Sequence, residues 1–200
     1  MISIDDYNPK NIELANLIKK YGLESETIFF IECFKLEAQR QIEQLSKAGF
    51  QSQSHTCTHS HLTLIDREQA KWEIEESKKI IESITGKECN WLCLPRGRYA
   101  NHHIKMALDA GYKYVRSTKI FNLEENKTGL NDTTIHACPI RPEYQGKDWV
   151  YYFDKYLEKA INENGNFKFW MHAYELDKFL LWNTIEDCLK KIVKSGVFTK

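Results

Sequence analysis

The sequence KAGFQSQSHTCTH, residues 47–59, joins a helix end, a strand and a histidine pair. It starts at the end of a predicted helix (35–48), continues through a predicted strand (49–54), and ends with His55 and His59. A glycine directly after a helical pattern is typical of a helix C-terminus. Two imidazoles spaced i, i+4 lie on one face of a helical turn, as metal chelation requires. The stretch predicts a metal site at a strand end, and a surface or packing role is the alternative.

The rest of the chain repeats this alternation of strands and helices. The predicted strands are 1–4, 27–31, 49–54, 90–94, 112–117, 135–140 and 167–172. The predicted helices are 11–21, 35–48, 66–86, 102–110, 151–162 and 184–194, and the polar segment 122–134 is predicted to be a loop. This alternation is typical of parallel β/α units, and about seven of them favour a barrel over an open sheet. We expect an α/β fold in one domain, 1–200, with functional residues at the carboxyl ends of its strands.

Composition narrows the class of protein. Lysine plus arginine and aspartate plus glutamate number 28 each, so the formal net charge is zero and no nucleic-acid or anionic-membrane partner is expected. No segment is apolar enough to predict a membrane span, and the start MISIDDYNPK lacks the pattern of a secretion signal, so a cytoplasmic location is expected. The six cysteines form no Cys-x-x-Cys pair, which argues against a closed structural zinc site.

Two further candidate positions lie at predicted strand ends. Asp5 and Asp6 follow the first strand, where adjacent carboxylates repel each other unless a cation or different pKa values relieve them; a turn or helix N-cap is the alternative. His172 ends the last strand, where a histidine beside a cleft is suited to general acid catalysis, although capping histidines are also common.

Taken in order, Asp5-Asp6, the His55-Thr-x-x-His59 motif and His172 resemble the polysaccharide deacetylase family of NodB homology. The segments KAGFQSQSHTCTH, IEESKKIIESITGK and DAGYKYVRST also resemble connecting segments of that family, so the likeness covers most of the chain. The resemblance implies a distorted (β/α) barrel of seven or eight mainly parallel strands.

The resemblance also implies a mechanism. Asp5 would be the general base, His172 the general acid, and Asp6, His55 and His59 the ligands of one divalent metal ion. Zinc is the first expectation because imidazole suits it, with cobalt, manganese and nickel as alternatives. The implied reaction removes an acetyl group from an N-acetylated sugar, either a small molecule or an oligosaccharide. The sequence does not predict an oligomeric state.

Two departures from the family pattern concern the third and fourth motifs. The third usually reads Arg-x-Pro-Tyr, but Cys93 stands at the arginine position, while Pro95 and Gly97 are kept. The fourth normally supplies an aspartate, but Arg116 stands there. Arg116 either pairs with Asp5 from the neighbouring strand or is a surface residue at a strand end. These departures keep two alternatives open: a metal-dependent amidohydrolase acting on a non-sugar amide, and an inactive carbohydrate-binding relative.

The remaining candidates are residues that could contact or orient a substrate. Sugars commonly rest on aromatic faces, and three aromatic residues flank the predicted acid: Trp170, Tyr174 and Trp182. Core packing is the alternative for Trp170. Arg96 and Tyr99 belong to the altered third motif and are further candidates. Cys57, between the two histidines, is expected to be a packed thiol.

Overall fold

The strands are two to five residues long, and they assemble into one parallel sheet. The computed structural model describes residues 1–125 and 129–198. The strands are β1 (Ile2–Asp5), β2 (Thr27–Ile31), β3 (Gln51–Ser54), β4 (Trp91–Cys93), β5 (Tyr114–Arg116), β6 (Gly129–Asn131), β7 (Ile135–His136) and β8 (Phe169–His172). Within the described ranges the order is β6-β5-β4-β3-β2-β1-β8-β7, and every paired neighbour runs parallel. The predicted barrel of seven or eight parallel strands is confirmed.

The helices cover the outside of the sheet. They are α1 (Asn11–Lys19), α2 (Leu36–Lys47), α3 (Arg67–Thr85), α4 (Asn101–Asp109), α5 (Trp149–Glu163), α6 (Ala173–Lys178) and α7 (Trp182–Ser195). Asp66 is the N-cap of α3 and accepts a hydrogen bond from the Gln69 backbone N–H, as the capping-box pattern predicts. None of the helices in the described part of the chain is long and apolar enough to cross a membrane.

Successive strand residues divide between two environments because side chains alternate across a sheet. Ile2 and Ile4 of β1, like Phe169 and Met171 of β8, pack in the large core between sheet and helices. The intervening positions face the barrel interior, where a smaller cluster joins Ile28, Phe30 and Cys93. The same alternation brings the last residue of β1, β4, β5 and β8 to the interior: Asp5, Cys93, Arg116 and His172. The polar residues of the site are therefore collected at one end of the barrel.

The segment predicted as a loop contributes to the barrel. β6 lies within it and pairs with β5, whereas residues 126–128 of that prediction lie outside the described residues. Three residues then lead to β7, which pairs with β8 at the other edge of the sheet. One continuous segment, 129–136, therefore contributes a strand to each edge of the sheet. The predicted strand 135–140 was too long, since only Ile135–His136 pairs, and α6 was not predicted.

Candidate metal centre

A cavity of about 520 Å³ opens at the carboxyl end of the barrel strands. It is lined by Asp5, Asp6, His55, His59, Leu94, Arg96, Thr118, Arg141, Trp170, His172 and Tyr174. Eight of the eleven predicted site residues are therefore in the lining, and Arg116 lies buried directly behind Asp5. Tyr99 and Trp182 are not among the lining residues: Tyr99 packs against the core, and the Trp182 indole donates a hydrogen bond to Asp177 on α6.

Asp6, His55 and His59 are grouped as ligands of one ion would be. Asp6 Oδ1 lies 3.2 Å from Nε2 of His55 and 3.2 Å from Nε2 of His59. Ligand atoms in tetrahedral zinc sites lie about 2.0–2.2 Å from the metal, which spaces them roughly 3.3 Å apart. Asp6 Oδ1 is buried and has no hydrogen bond of acceptable geometry within the described residues. A buried oxygen without a donor, facing two imidazole nitrogens at ligand spacing, fits a divalent metal ion.

The two histidines are brought together by a loop, so the predicted helical turn is wrong. Residues 55–59 are irregular, and Thr56 and His59 adopt left-handed backbone conformations with φ of 67° and 59°. Glu73 on α3 holds this loop: its Oε2 accepts the backbone N–H groups of Cys57 and Thr58, each at 2.9 Å. Glu73 was missed in the sequence, although a carboxylate within the apolar stripe of α3 is a usable signal.

Asp6 is held in its turn from both sides. Its φ of 69° is uncommon for a non-glycine residue and turns the side chain away from the strand direction. The Asn11 amide donates to the Asp6 backbone carbonyl at 2.9 Å, and the next backbone N–H, that of Tyr7, donates to Glu32 at 2.8 Å. The turn therefore presents the Asp6 carboxylate as a candidate ligand. Neither Asp5 nor Asp6 is the N-cap of α1, which is Lys10.

Hydrogen bonding orients the His55 ring. Its Nδ1 lies 2.9 Å from the backbone carbonyl of Cys93, which can only accept, so Nδ1 carries a proton and Nε2 faces Asp6. Burial lowers the pKa of His55, but Cys93, Asp6 and Asp5 outweigh it and raise the pKa well above its usual value. For His59, burial and the neighbouring His55 charge lower the pKa to about 4. Burial raises the pKa of Asp6, but the three surrounding histidines have the larger effect, and the net result is a pKa lowered to about 2.

Asp5 is bound by an arginine from across the barrel. Arg116 Nη1 lies 2.7 Å from Asp5 Oδ2 and 2.8 Å from Cys93 Sγ, and the arginine is fully buried. Its guanidinium packs between the rings of Phe30 and Trp170. Burial favours the neutral acid, but the charge of Arg116 prevails and lowers the pKa of Asp5. The predicted pairing of Arg116 with Asp5 is confirmed. The two residues are not on neighbouring strands, however, since three strands lie between β5 and β1.

His172 lies beside Asp5 and is oriented by a carboxylate. The two residues occupy paired positions on β8 and β1, and Nδ1 of His172 lies 2.9 Å from Oε2 of Glu175. Burial lowers the pKa of His172, but Glu175, Asp5 and Asp6 outweigh it and raise the pKa above its usual value. Glu175 was also missed, although it follows the strand-end histidine by three positions at the start of a helix.

A second group of potential ligands adjoins this carboxylate. His136 Nε2 lies 3.1 Å from Glu175 Oε2, and the Cys138 thiol donates to Oε1 at 3.4 Å. The His136 ring stacks on Trp170, with ring centres 3.5 Å apart. Burial lowers the pKa of His136 to about 4 despite the adjoining carboxylate. These contacts leave Glu175 with partners on both oxygens and hold its carboxylate in place.

Comparisons with known proteins agree with this fold. Residues 1–115 match the sequence profile described as "Polysaccharide deacetylase". YxkH of Bacillus subtilis (strain 168), provisionally named a polysaccharide deacetylase, is 29% identical over 119 residues, which is 56% of this chain and 42% of YxkH. The match thus spans less than half the length of that curated relative.

Two solved structures share the fold. One, a provisionally named polysaccharide deacetylase from Mycobacterium smegmatis, has a TM-score of 0.71 at 12% identity, covering 92% of this chain and 70% of that one. The other, a family 4 carbohydrate esterase pseudoenzyme from Bacillus anthracis, has a TM-score of 0.65 at 14% identity, covering 98% and 60%. The profile covers more than half of the sequence, so the chain belongs to the polysaccharide deacetylase family.

Proposed function

We propose that the chain is a metal-dependent hydrolase that removes the acetyl group from an N-acetylated sugar or glycan. The observation that carries the proposal is the grouping of Asp6, His55 and His59 beside Asp5 and His172 in one cavity. Metal ligands alone are compatible with a structural site. A separate carboxylate and a separate histidine beside them supply the base and acid that amide hydrolysis needs.

Three protein ligands leave positions open for water and substrate, as in catalytic zinc sites. Zinc is the ion we expect at Asp6, His55 and His59, because imidazole and carboxylate donors suit it; cobalt, manganese and nickel share these preferences. When bound, the ion would supply Lewis-acid chemistry, lowering the pKa of water and polarising the acetyl oxygen. The residues around it would position the substrate and move the protons.

Asp5 has the properties expected of the base. Its Oδ2 is occupied by Arg116, while Oδ1 has no hydrogen-bond partner within the described residues and is free to accept a proton. The arginine lowers the pKa of Asp5 and so keeps it ionised. The pairing also argues against an inactive binding relative, since Arg116 supplies from β5 the guanidinium missing at Cys93.

His172 has the properties expected of the acid. Its raised pKa keeps a proton on the ring at higher pH, and Glu175 fixes the ring so that Nε2 faces the cavity side occupied by Asp6, 3.8 Å away. The proton would go to the nitrogen of the departing amine. The backbone N–H groups near Pro95 and Arg96 are expected to help bind the acetyl oxygen as it becomes negative.

The test compares metal content and hydrolysis in four proteins: wild type, His59→Ala, Asp5→Asn and His61→Ala. His61 is the control, because it is two residues from a proposed ligand and outside the cavity lining. Metal is measured by plasma mass spectrometry, and hydrolysis by amine release from N-acetylated oligosaccharides and from simple acetamides.

We expect one equivalent of metal in all but His59→Ala, and a loss of about 10²–10⁴ in rate for Asp5→Asn with its metal retained. Hydrolysis of acetamides but not sugars would redirect the proposal to a non-sugar amide. Metal binding without any hydrolysis would favour the inactive binding relative. No metal after reconstitution with zinc, cobalt or manganese would refute the hydrolase.

A further inference from the structure

One side of the cavity carries two arginines and a threonine whose side chains have no role in the proposed reaction. Arg96 follows β4, Thr118 follows β5 and Arg141 follows β7, and all three line the cavity. The metal cluster, base and acid come instead from β1, β3 and β8. A substrate that reaches the proposed metal ligands therefore lies close to these three residues at the ends of β4, β5 and β7, which we call the wall of the cavity.

Most of the arginines and histidines around the cavity have an acidic partner, and Arg96 is the exception among the residues described. Arg116 is paired with Asp5 and His172 with Glu175. Arg141 is paired with Glu143. Across residues 1–125 and 129–198, the Arg96 side chain forms neither an ion pair nor a hydrogen bond. One guanidinium at the cavity is therefore left without a counter-charge from the protein.

The position of Arg96 is built into the loop. Arg96 has a left-handed backbone with φ of 57°, followed by Gly97 with φ of 63°. A Cβ at Gly97 would stand 1.9 Å from Oγ1 of Thr118, so the loop is packed directly against another residue of the wall. A bulky residue at positive φ is uncommon and is often found at functional sites. Arg96 also stands where the third motif of the family has tyrosine.

We propose that Arg96 binds an anionic group, a carboxylate or phosphate, carried by the N-acetylated sugar. This inference rests on the proposed function and narrows its substrate to acidic sugars. A guanidinium donates two parallel hydrogen bonds to either anion and prefers it to a neutral hydroxyl group. The positive wall also draws anions toward the cavity.

The experiment compares three sugars with the zinc-loaded protein: N-acetylmuramic acid (carboxylate), N-acetylglucosamine 6-phosphate (phosphate) and N-acetylglucosamine (neutral). The variants are Arg96→Gln, Arg96→Lys and the control Arg98→Gln. Arg98 is an exposed arginine of the same loop that does not line the cavity. Binding is measured by titration calorimetry and hydrolysis as kcat/KM.

We expect at least one anionic sugar to bind and react about 10–100-fold better than the neutral one, the range of a charge-assisted contact. Arg96→Gln should abolish this preference by weakening binding and hydrolysis of the anionic sugar far more than those of the neutral sugar. Arg96→Lys should keep part of the preference, and Arg98→Gln should keep all of it. Whether the carboxylate or the phosphate gains more identifies the anion.

The two measurements separate this inference from the proposed function. A charge preference in binding that Arg96→Gln removes, without hydrolysis of any sugar, supports the anion site and counts against the deacetylase. Hydrolysis of neutral and anionic sugars at equal rates, unchanged by Arg96→Gln, keeps the deacetylase and overturns the anion site. Equal losses for all sugars in Arg96→Gln, or no binding of either anionic sugar, also overturn it.

Discussion

Nη1 of Arg116 lies 2.7 Å from Oδ2 of Asp5, although three strands separate β5 from β1 in the sheet. Cys93 is the partner of Arg116 in the β4–β5 register and points to the same interior. Its small side chain leaves room for the guanidinium to pass over β4 and reach the carboxylate. We propose that Arg116 takes the place of the arginine that the family resemblance implies at position 93.

Replacing Arg116 should destabilise the protein as well as impair the reaction. Arg116→Met leaves the buried Asp5 carboxylate without its counter-charge, so we expect the free energy of unfolding at pH 7 to fall by about 3–5 kcal/mol. Denaturant titration of the metal-free protein measures this. Adding Cys93→Arg to Arg116→Met should recover much of the stability and of the hydrolysis, because the guanidinium then comes from β4. A double variant no better than Arg116→Met would contradict the substitution of one arginine for the other.

Removing Glu175 should move the pH dependence of hydrolysis. Glu175 raises the pKa of His172, and a general acid works only below its pKa, while it is protonated. Glu175→Gln removes the negative charge and lowers the pKa, so the alkaline limb of kcat/KM should shift to lower pH. Glu163→Gln, at an exposed carboxylate on α5 that forms an ion pair with Lys159, should leave the profile in place. An unmoved limb in Glu175→Gln would argue against His172 as the acid.

Glu73 should matter for metal affinity although it is not a ligand. Its carboxylate accepts the backbone N–H groups of Cys57 and Thr58 and so orders the loop between His55 and His59. Loss of such supporting contacts typically weakens metal binding by about 10–100-fold, which we expect for Glu73→Gln in a competition titration with a chelator. Glu76→Gln, on the same helix and paired with the exposed Lys79, is the matched control. Equal affinities in the two variants would mean that the loop is ordered without Glu73.

Gly97 should tolerate alanine less well than another glycine of the same backbone conformation. Gly97→Ala introduces a Cβ at positive φ that also meets Thr118, whereas a Cβ at Gly22, with φ of 67°, meets nothing within 4 Å. Both changes carry the backbone cost of about 1 kcal/mol, and the clash should add about 1–3 kcal/mol to the first. Thermal unfolding of the two variants measures the difference. Similar losses would show that the loop moves away from Thr118 at little cost.

Much of the site could be predicted because its ligands lie at strand ends. Asp5, Asp6, His55, His59 and His172 each follow or end a recognisable strand, and the carboxyl ends of parallel strands meet at one end of a barrel. Local pattern was less informative about conformation. The i, i+4 spacing suggested a helical turn for the histidines, but a loop with two left-handed residues provides the same proximity.

Other contacts could not be predicted from neighbouring residues in sequence. Arg116 and Asp5 are 111 positions apart, and their contact depends on barrel curvature and on the small side chain at Cys93. Tyr99 and Trp182 are close in sequence to residues of the site, but Tyr99 packs against the core and Trp182 contacts Asp177 instead of lining the cavity. Sequence proximity does not determine side-chain direction once a strand has ended.

The sequence by itself determined the alternation of strands and helices, the family and the residues proposed for the metal centre, because periodicity and short motifs are local properties. The tertiary structure alone decided which guanidinium neutralises Asp5, which carboxylates support the histidines, and that Arg96 at the cavity has no ion-pair partner in the part of the chain that the structure describes. It also decided how one segment joins both edges of the sheet through β6 and β7. These features depend on distances between side chains far apart in the chain, which only the packing of the barrel establishes.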